Sequence, residues 1–152
     1  MEPIYNKKAH FDYEILEKYE AGIVLFGHEV KSVKSGQMDL KGSYITVKQA
    51  PPVELFLING YIPKYKPAGE LPNYEPRRTR KILVHRREIR GLIGKLAQKG
   101  LTLVPLRVYT KHNLIKIEFG VARGKKKFDK RETIKERELD RQTRRILKGE
   151  IN

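Results

Sequence analysis

Seven lysine and arginine side chains are concentrated in residues 77–90, where the only acidic residue is Glu88. They are Arg77, Arg78, Arg80, Lys81, Arg86, Arg87 and Arg90. The loop before them adds Tyr65 and Tyr74 together with two more lysines. Cations interleaved with aromatic rings suit contacts to phosphates combined with stacking on bases, whereas a plain charge run is usually a solvated face. The added rings favour nucleic-acid contact here, with RNA as the expected polymer.

A second cationic segment closes the chain. Residues 121–152 hold twelve Lys and Arg against six Asp and Glu, with few apolar residues to bury. Such a segment gains too little from burial to offset its ordering entropy. Asp129 and Glu132 are spaced to cap a helix, but an isolated helix of this length is marginal in water. The pattern therefore predicts a tail that becomes helical on contact with a partner.

Glu20 is a carboxylate in a chain that is otherwise rich in cations. A carboxylate on a surface that faces RNA would repel phosphates, so it would need a specific task there. One such task is to accept two hydrogen bonds from the Watson–Crick edge of guanine. The alternative is that Glu20 merely neutralises neighbouring positive charge, and the sequence leaves both readings open.

Residues for catalysis or metal binding are scarce. The chain has no cysteine, and its four histidines (His10, His28, His85 and His112) show no metal-ligand spacing. The phosphate-binding glycine loop, the dinucleotide fingerprint and the G-x-S-x-G nucleophile motif are all missing from the sequence. We therefore expect no metal, no cofactor and no enzymatic activity.

Length and charge limit the remaining classes. The 152 residues suit one domain of about 120 residues with an extension. The formal net charge is +15, of which residues 1–120 carry +9, so the body is cationic without the tail. This charge fits a polyanion or a membrane surface. The apolar runs are too short for a membrane span or a signal peptide, so a cytoplasmic location is expected.

The first half of the chain shows strand patterns around one helix. Alternating apolar residues predict a long, bent strand over residues 11–25, with Gly22 as a candidate bulge. A short helix is expected over 28–35, and strands over 44–47 and 53–58. The pair Asn59-Gly60 predicts a tight reversal after the last of them.

The second half repeats this mixture of elements. Four of the eight prolines indicate an irregular loop over residues 63–76, followed by a strand over 81–84. An apolar stripe predicts a helix over 89–96, and the final strands are expected over 101–109 and 114–122. Pro105 indicates a sheet edge or a bulge. The prediction is a mainly β fold: a small antiparallel, closed or partly open barrel at 1–122 and a basic tail at 123–152.

Six segments in order carry a resemblance to a known family. They are NKKA (6–9), YEAGI (19–23), EVKS (29–32), EPRRTRK (75–81), KGLTLVPL (99–106) and GKKKFDKR (124–131). The resemblance extends over the chain from Asn6 to about Arg137. On these segments the chain resembles small protein B, the SsrA-binding family that binds transfer-messenger RNA in bacterial trans-translation.

The resemblance implies an oligonucleotide/oligosaccharide-binding-type barrel with two to three helices and a tail that is disordered when free. It implies an adaptor that binds the tRNA-like domain of transfer-messenger RNA (tmRNA) for the rescue of stalled ribosomes. The body would take the place of the missing anticodon arm. The tail would become helical in the decoding site and the empty mRNA channel.

The implied partners are tmRNA and the ribosome with its small-subunit rRNA. Alanyl-tRNA synthetase and elongation factor Tu would be met indirectly through tmRNA, by a monomer that contacts no membrane.

Site residues follow from the matched positions. RNA binding is implied for Asn6, Glu20, Leu83 and Lys116, beside the basic Arg77, Arg78, Arg80 and Lys81. Leu83 has a competing interpretation, since an apolar strand residue is usually core. Lys116 lies between Ile115 and Ile117, so alternation should point it outward. Ribosome engagement is implied for the tail residues Gly124, Lys125, Lys126, Phe128, Asp129, Lys130 and Arg131.

Three positions depart from the family pattern. Phe128 stands where His or Tyr is common, which keeps a ring for stacking but removes its polar tip. Thr110 replaces a commonly aromatic residue, and no role follows for Pro51-Pro52.

Two other classes of protein remain open, a structural ribosomal or assembly protein and an RNA-processing enzyme. The former would sediment with all ribosomes, and the latter would cleave RNA when supplied with metal.

Overall fold

The structure, a computed structural model, describes residues 1–98, 100–125 and 127–147. In chain order the elements are β1 (Ile4–Tyr5), α1 (Ala9–Asp12), β2 (Tyr13–Ile23), α2 (Gly27–Lys34), β3 (Tyr44–Lys48), β4 (Glu54–Ile58), a 3-10 turn (Lys66–Ala68), β5 (Arg80–Leu83), α3 (Arg86–Leu96), β6 (Leu101–Lys111), β7 (Leu114–Gly124) and α4 (Lys127–Leu147).

All seven strands belong to one antiparallel sheet in the order β1-β6-β7-β2-β5-β4-β3. The sheet curls so that β3 lies alongside β6, with Cα atoms within 8 Å of each other. No ladder joins these two strands within the part of the chain that the structure describes. The mainly β, partly open antiparallel barrel predicted from the sequence is therefore confirmed.

The inside of the barrel is the core. Side chains alternate across each strand, so every second residue of β7 and β4 turns inward, including Ile117, Phe119, Leu55 and Leu57. Leu92 of α3 joins the same cluster, as the apolar stripe of that helix predicts. The outward residues of the same strands form the surface on which a partner could bind.

β2 is shorter than predicted and bends elsewhere. Residues 9–12 form α1, and the strand begins at Tyr13. The register shifts between Ile15 and Glu17, so the bulge lies there and not at Gly22. Gly120 is opposite this bulge, where a Cβ would lie 2.9 Å from the Glu17 carbonyl oxygen. The bulge decides which β2 side chains face outward beyond it.

One turn prediction is wrong, and one open alternative is decided. Asn59-Gly60 does not reverse the chain, because Tyr61 pairs with Asp39 and so continues past the Tyr44–Ile58 pair. Asn59 has a φ of 64°, which produces a bend in a chain that keeps its direction. Pro105 lies at a register shift in β6, between β1 and β7, so it marks a bulge and not an edge.

The tail also differs in detail. β7 runs to Gly124, two residues past the predicted boundary. α4 begins at Lys127, so Asp129 lies in its first turn and not at the capping position. Ile134 and Leu139 of this helix are exposed. The prediction of a helix that forms on contact concerns the chain without its partner, and it stays a prediction.

Candidate RNA-binding surface

One row of outward side chains crosses four neighbouring strands. Gly22 of β2 is paired with Leu83 on one side and with Lys116 on the other. Lys116 is in turn paired with Tyr109 of β6. Directly paired residues point to the same face of a sheet. Leu83 and Lys116, predicted separately from the sequence, therefore flank the same glycine.

Glu20 lies on this face too, since it precedes Gly22 by two residues on β2. Its carboxylate accepts a hydrogen bond from the Tyr109 hydroxyl and one from Lys111 Nζ at 3.1 Å. Both bonds lower the pKa of Glu20, and the bond from Tyr109 contributes most. A carboxylate has about four acceptor positions, so this ionised group can accept further hydrogen bonds.

Leu83 and Lys116 are accessible to a partner. The Leu83 side chain is 52% exposed, so the interpretation of Leu83 as a core residue is wrong. It leans over Gly22, where a Cβ would lie 3.5 Å from the Leu83 Cβ and Cδ1. Lys116 is partly exposed between the buried Ile115 and Ile117, as alternation predicted.

Asn6 lies at the border of this face and is tied to the backbone. Its Nδ2–H donates to the Pro105 carbonyl at 2.8 Å, and its N–H donates to the Leu106 carbonyl at 2.8 Å. The preceding residue, Tyr5, is paired with Arg107 in the row that also contains Glu118 and Glu20. Asn6 therefore anchors the edge of the sheet that carries Glu20.

The basic segment 77–90 is divided between surface and interior. Lys81 is exposed on β5, two residues before Leu83 and on the same face, with Nζ 3.7 Å from a Glu54 carboxylate oxygen. Arg77 is exposed and lies over the Tyr61 ring, 5.1 Å from its centre. Both cations are available to phosphates.

Arg80 is different, since its side chain is 0% exposed. Its guanidinium donates to the Glu29 carboxylate, to the Gly60 carbonyl at 2.5 Å and to the Pro76 carbonyl at 3.0 Å. It cannot reach a phosphate from there, so the interpretation of Arg80 as an RNA contact is corrected to a structural role. Arg80 shares the inner side of β5 with the buried Ile82, whereas Lys81 and Leu83 point to the opposite side.

The partner of Arg80 is the buried carboxylate of Glu29 on α2. It also binds Arg78 through Nε at 3.1 Å, the Tyr74 hydroxyl at 2.9 Å and the Phe26 N–H at 2.8 Å. Burial alone would raise the pKa of Glu29, but these hydrogen bonds and the nearby arginine charge lower it to about 2. Burial and the bond to Glu29 raise the pKa of Tyr74 to about 12.

The tail residues leave from the end of β7. Gly124 is paired with Tyr13, and the next residue, Lys125, donates from its N–H to the Asp12 carbonyl at 2.9 Å and from Nζ to the His10 carbonyl at 2.7 Å. Arg131 is exposed on α4. The predictions for Lys126 and for the side chains of Phe128, Asp129 and Lys130 fall outside the described residues.

Tyr109 and Lys111 were missed from the sequence, although both bind Glu20. The signal was available in the hairpin turn at residues 112–113, because a tight turn there sets Tyr109 opposite Lys116. Phe26 was also missed, since the strand pattern ends before it.

No group of three or more metal-ligating side chains occurs among the described residues. Within the same residues, none of the helices has both the length and the apolar character that crossing a membrane requires.

A family model described as SmpB protein matches residues 3–149. The chain belongs to the SmpB family. The SsrA-binding protein of Gloeothece citriformis is 50% identical over 143 residues, covering 94% of this chain and 90% of the relative. That of a Sulfurihydrogenibium species is 49% identical over 146 residues, covering 96% and 93%. The resemblance inferred from the six segments is thereby confirmed.

The fold is shared with a solved member of the SmpB family. A chain from the structure "tmRNA-SmpB: a journey to the center of the bacterial ribosome" superposes with a TM-score of 0.66 at 48% sequence identity. The match covers 82% of this chain and 85% of that one. The antiparallel sheet and its helices are therefore the SmpB fold.

Proposed function

We propose that this chain binds tmRNA and acts with it on the ribosome in trans-translation. One observation carries the proposal. Glu20, Leu83 and Lys116, each implied in RNA binding by resemblance alone, lie together on one solvent-facing side of the sheet. The names of the relatives, SsrA-binding protein, and the tmRNA complex of the structural neighbour support the same partner.

Each group on this face has a distinct part in binding. Lys116, Lys81 and Arg77 meet phosphates, which positions the RNA but carries no sequence information. Glu20 accepts hydrogen bonds from a guanine edge, which a lysine cannot do because its ammonium group has no acceptor atom. Leu83 packs against a sugar or the face of a base. Asn6 acts through the backbone that it holds at the sheet edge.

The two parts of the chain divide the work. The body holds the tRNA-like domain of tmRNA and stands in for its missing anticodon arm. The basic tail enters the decoding site and the empty mRNA channel and contacts small-subunit rRNA. The 21 residues of α4 span about 32 Å as a helix, a length suited to reaching along such a channel. Body and tail meet at Lys125, which is still bonded to α1.

The role is that of an adaptor, without a catalytic step or a cofactor. Alanyl-tRNA synthetase and elongation factor Tu would be met only through the tmRNA that the chain carries. A monomer that acts at the ribosome would be located in the cytoplasm. The matching family is one of RNA-binding proteins, which agrees with this role.

Identification of the bound RNA tests the partner. The tagged full-length chain is recovered from bacterial cells at moderate ionic strength and its RNA is sequenced. One dominant tmRNA species is expected. Recovery of rRNA in proportion to all ribosomes would instead indicate a structural ribosomal protein and overturn the proposal.

A truncation tests the division of labour. The structure places the cut after Lys125, because an earlier cut would remove the paired end of β7 and the bond to Asp12. The truncated chain should bind tmRNA within about twofold of the full chain, since the sheet face is intact. It should fail to support tagging on stalled ribosomes in a reconstituted translation reaction. Equal loss of both activities would contradict separate roles for body and tail.

A further inference from the structure

The outward face of β2 continues beyond the end of the strand. The Val24 N–H donates to the Lys81 carbonyl at 2.9 Å, and Phe26 keeps an extended backbone with φ −71° and ψ 157°. The alternation therefore persists, and Val24 and Phe26 point the same way as Gly22. Their side chains are 45% and 52% exposed. Leu83 and these two residues form an exposed apolar strip beside Lys81.

The end of this strip is a stacked pair. The Arg78 guanidinium carbon lies 3.8 Å from the centre of the Phe26 ring, so the planar cation rests on the ring. More than half of the Phe26 side chain remains open to solvent. The ring shares this face with the exposed Val24 and Leu83, and an exposed apolar patch is typical of an interaction site.

One buried carboxylate binds the backbone of Phe26 and the guanidinium of Arg78. Glu29 accepts the Phe26 N–H at 2.8 Å and binds Arg78 Nε at 3.1 and 3.2 Å through its two oxygens. Glu29 itself is wholly buried and cannot move away. The Phe26 backbone and the Arg78 guanidinium are thus held before a ligand arrives, and the guanidinium lies against the ring, which reduces the entropy lost on binding. The Arg78 guanidinium is already engaged by Glu29 and lies on the Phe26 ring, which favours stacking over phosphate binding.

We propose that Phe26, backed by Arg78, is a stacking site for an unpaired base of tmRNA. The inference rests on the proposed function and extends its surface along β2. Unpaired bases with an exposed face stack on aromatic rings and on arginine planes, whereas paired RNA offers little but shape. Lys81 and Arg77 lie on either side of Arg78 in the chain and supply the charge that the adjoining phosphates require. This charge favours RNA over an apolar protein segment as the occupant.

A fluorescent reporter tests the site directly. The chain contains no tryptophan, so Phe26→Trp introduces a single indole at the proposed stacking position. Addition of tmRNA should quench its emission, with saturation at the concentration where filter binding saturates. The matched control is Leu139→Trp, an exposed position of α4 that the proposal places off the tmRNA contact. Its emission should change little.

Affinity separates stacking from apolar contact. Phe26→Leu keeps an apolar side chain but removes the ring, and it should weaken tmRNA binding roughly tenfold. Phe26→Tyr keeps the ring and should bind within about twofold of the unmodified chain. Thermal unfolding of each variant shows whether the fold is retained. Because the Phe26 side chain is exposed, we expect both variants to keep the fold.

The outcomes separate this inference from the proposed function. If the unmodified chain binds tmRNA while Phe26→Trp shows no quenching and Phe26→Leu binds equally well, the stacking site is refuted and the function stands. Equal quenching at positions 26 and 139 also refutes a local site. If the unmodified chain does not bind tmRNA, the function fails and the inference fails with it.

Discussion

Two glutamates of β2 have nearly the same bonding but lie on different sides of the sheet. Glu20 binds the Tyr109 hydroxyl and Lys111, and Glu17 binds the Tyr19 hydroxyl at 2.6 Å and Lys95. Glu20 follows Glu17 by three positions, an odd offset, which puts Glu17 on the side of α3 and Glu20 on the face of Lys116. The bulge before Glu17 sets this parity, so one inserted residue decides which carboxylate shares the face of Lys116 and Leu83.

This pair yields a controlled prediction. Glu20→Gln keeps the size of the side chain but replaces one acceptor oxygen by a donor, so it should weaken tmRNA binding by about tenfold if a guanine edge is read there. Glu17→Gln should change the affinity by less than about twofold. Filter binding at fixed salt measures both. A similar loss in the two variants would indicate that general charge matters and not a contact at Glu20.

Glu29 gives a prediction for stability and pH. The folded state lowers its pKa to about 2 from an ordinary value of 4.5, so its ion pairs stabilise the fold above about pH 4.5. This contribution is lost as the pH falls through about 2, where the folded carboxylate is protonated. Glu29→Gln should cost about 3–5 kcal/mol at pH 7, because two arginines lose their buried anion. The difference from the unmodified chain should shrink between pH 4.5 and 2.

Urea unfolding across this pH range measures the effect. Glu54→Gln is the control, since it removes a carboxylate from a partly exposed pair with Lys81 and should cost no more than about 1 kcal/mol. A destabilisation by Glu29→Gln that did not change with pH would show that packing, and not the charge of Glu29, holds the network.

At the scale of elements, local patterns predicted most of the strands and helices but not the environment of single side chains. β5 is the clearest case. Its pattern identified a strand, but a four-residue strand rich in cations does not reveal which parity is inside. Arg80 enters the interior only because Glu29, fifty-one residues earlier, provides its partner, so burial depends on a long-range contact. Leu83 points to the side of β5 opposite Arg80, so it is exposed.

The same limit applies to turns and to the site. Asn59-Gly60 is a frequent hairpin signal, but Tyr61 pairs with a distant residue, Asp39, and the chain continues straight. The residues inferred by resemblance, Glu20 and Lys116, meet on one face as expected from strand alternation. Phe26 could not be found by either route, because its importance rests on the tertiary contacts of Arg78 and Glu29.

The tail helix is an element whose stability can be tested alone. α4 leaves Ile134 and Leu139 exposed, and its like-charged neighbours four residues apart, such as Arg137 and Arg141, repel. A peptide of residues 123–152 should therefore show little helix by circular dichroism at neutral pH. Helical signal should rise when a small-subunit rRNA fragment is added. A strongly helical peptide without RNA would contradict folding on contact.

At the scale of the whole molecule, charge and shape act together. The net charge of +15 attracts any polyanion, and the contribution of each phosphate contact falls with salt. Discrimination has to come from groups that do not bind phosphates, and under the proposed function these are the Glu20 carboxylate, Leu83 and the Phe26 ring. We therefore expect the cations to determine how strongly RNA is attracted, and this small set to determine which RNA stays bound.

The dependence of tmRNA affinity on salt separates the two contributions. A plot of the logarithm of affinity against the logarithm of salt concentration should fall steeply for the unmodified chain. Lys116→Ala should make the slope shallower by about one, because one phosphate contact and its released counterion are lost. Lys95→Ala should leave the slope unchanged, since Lys95 is bound to Glu17 and the Tyr19 hydroxyl on the side of α3.

Phe26→Leu completes the comparison, because it should shift the whole line to weaker binding without changing its slope. A stacked base releases no counterion, so its loss costs the same factor at every salt concentration. Equal changes of slope for Lys116→Ala and Lys95→Ala would mean that the RNA responds to total charge and not to this face. A change of slope for Phe26→Leu would mean that the ring acts by placing a cation, most directly the Arg78 that lies against it.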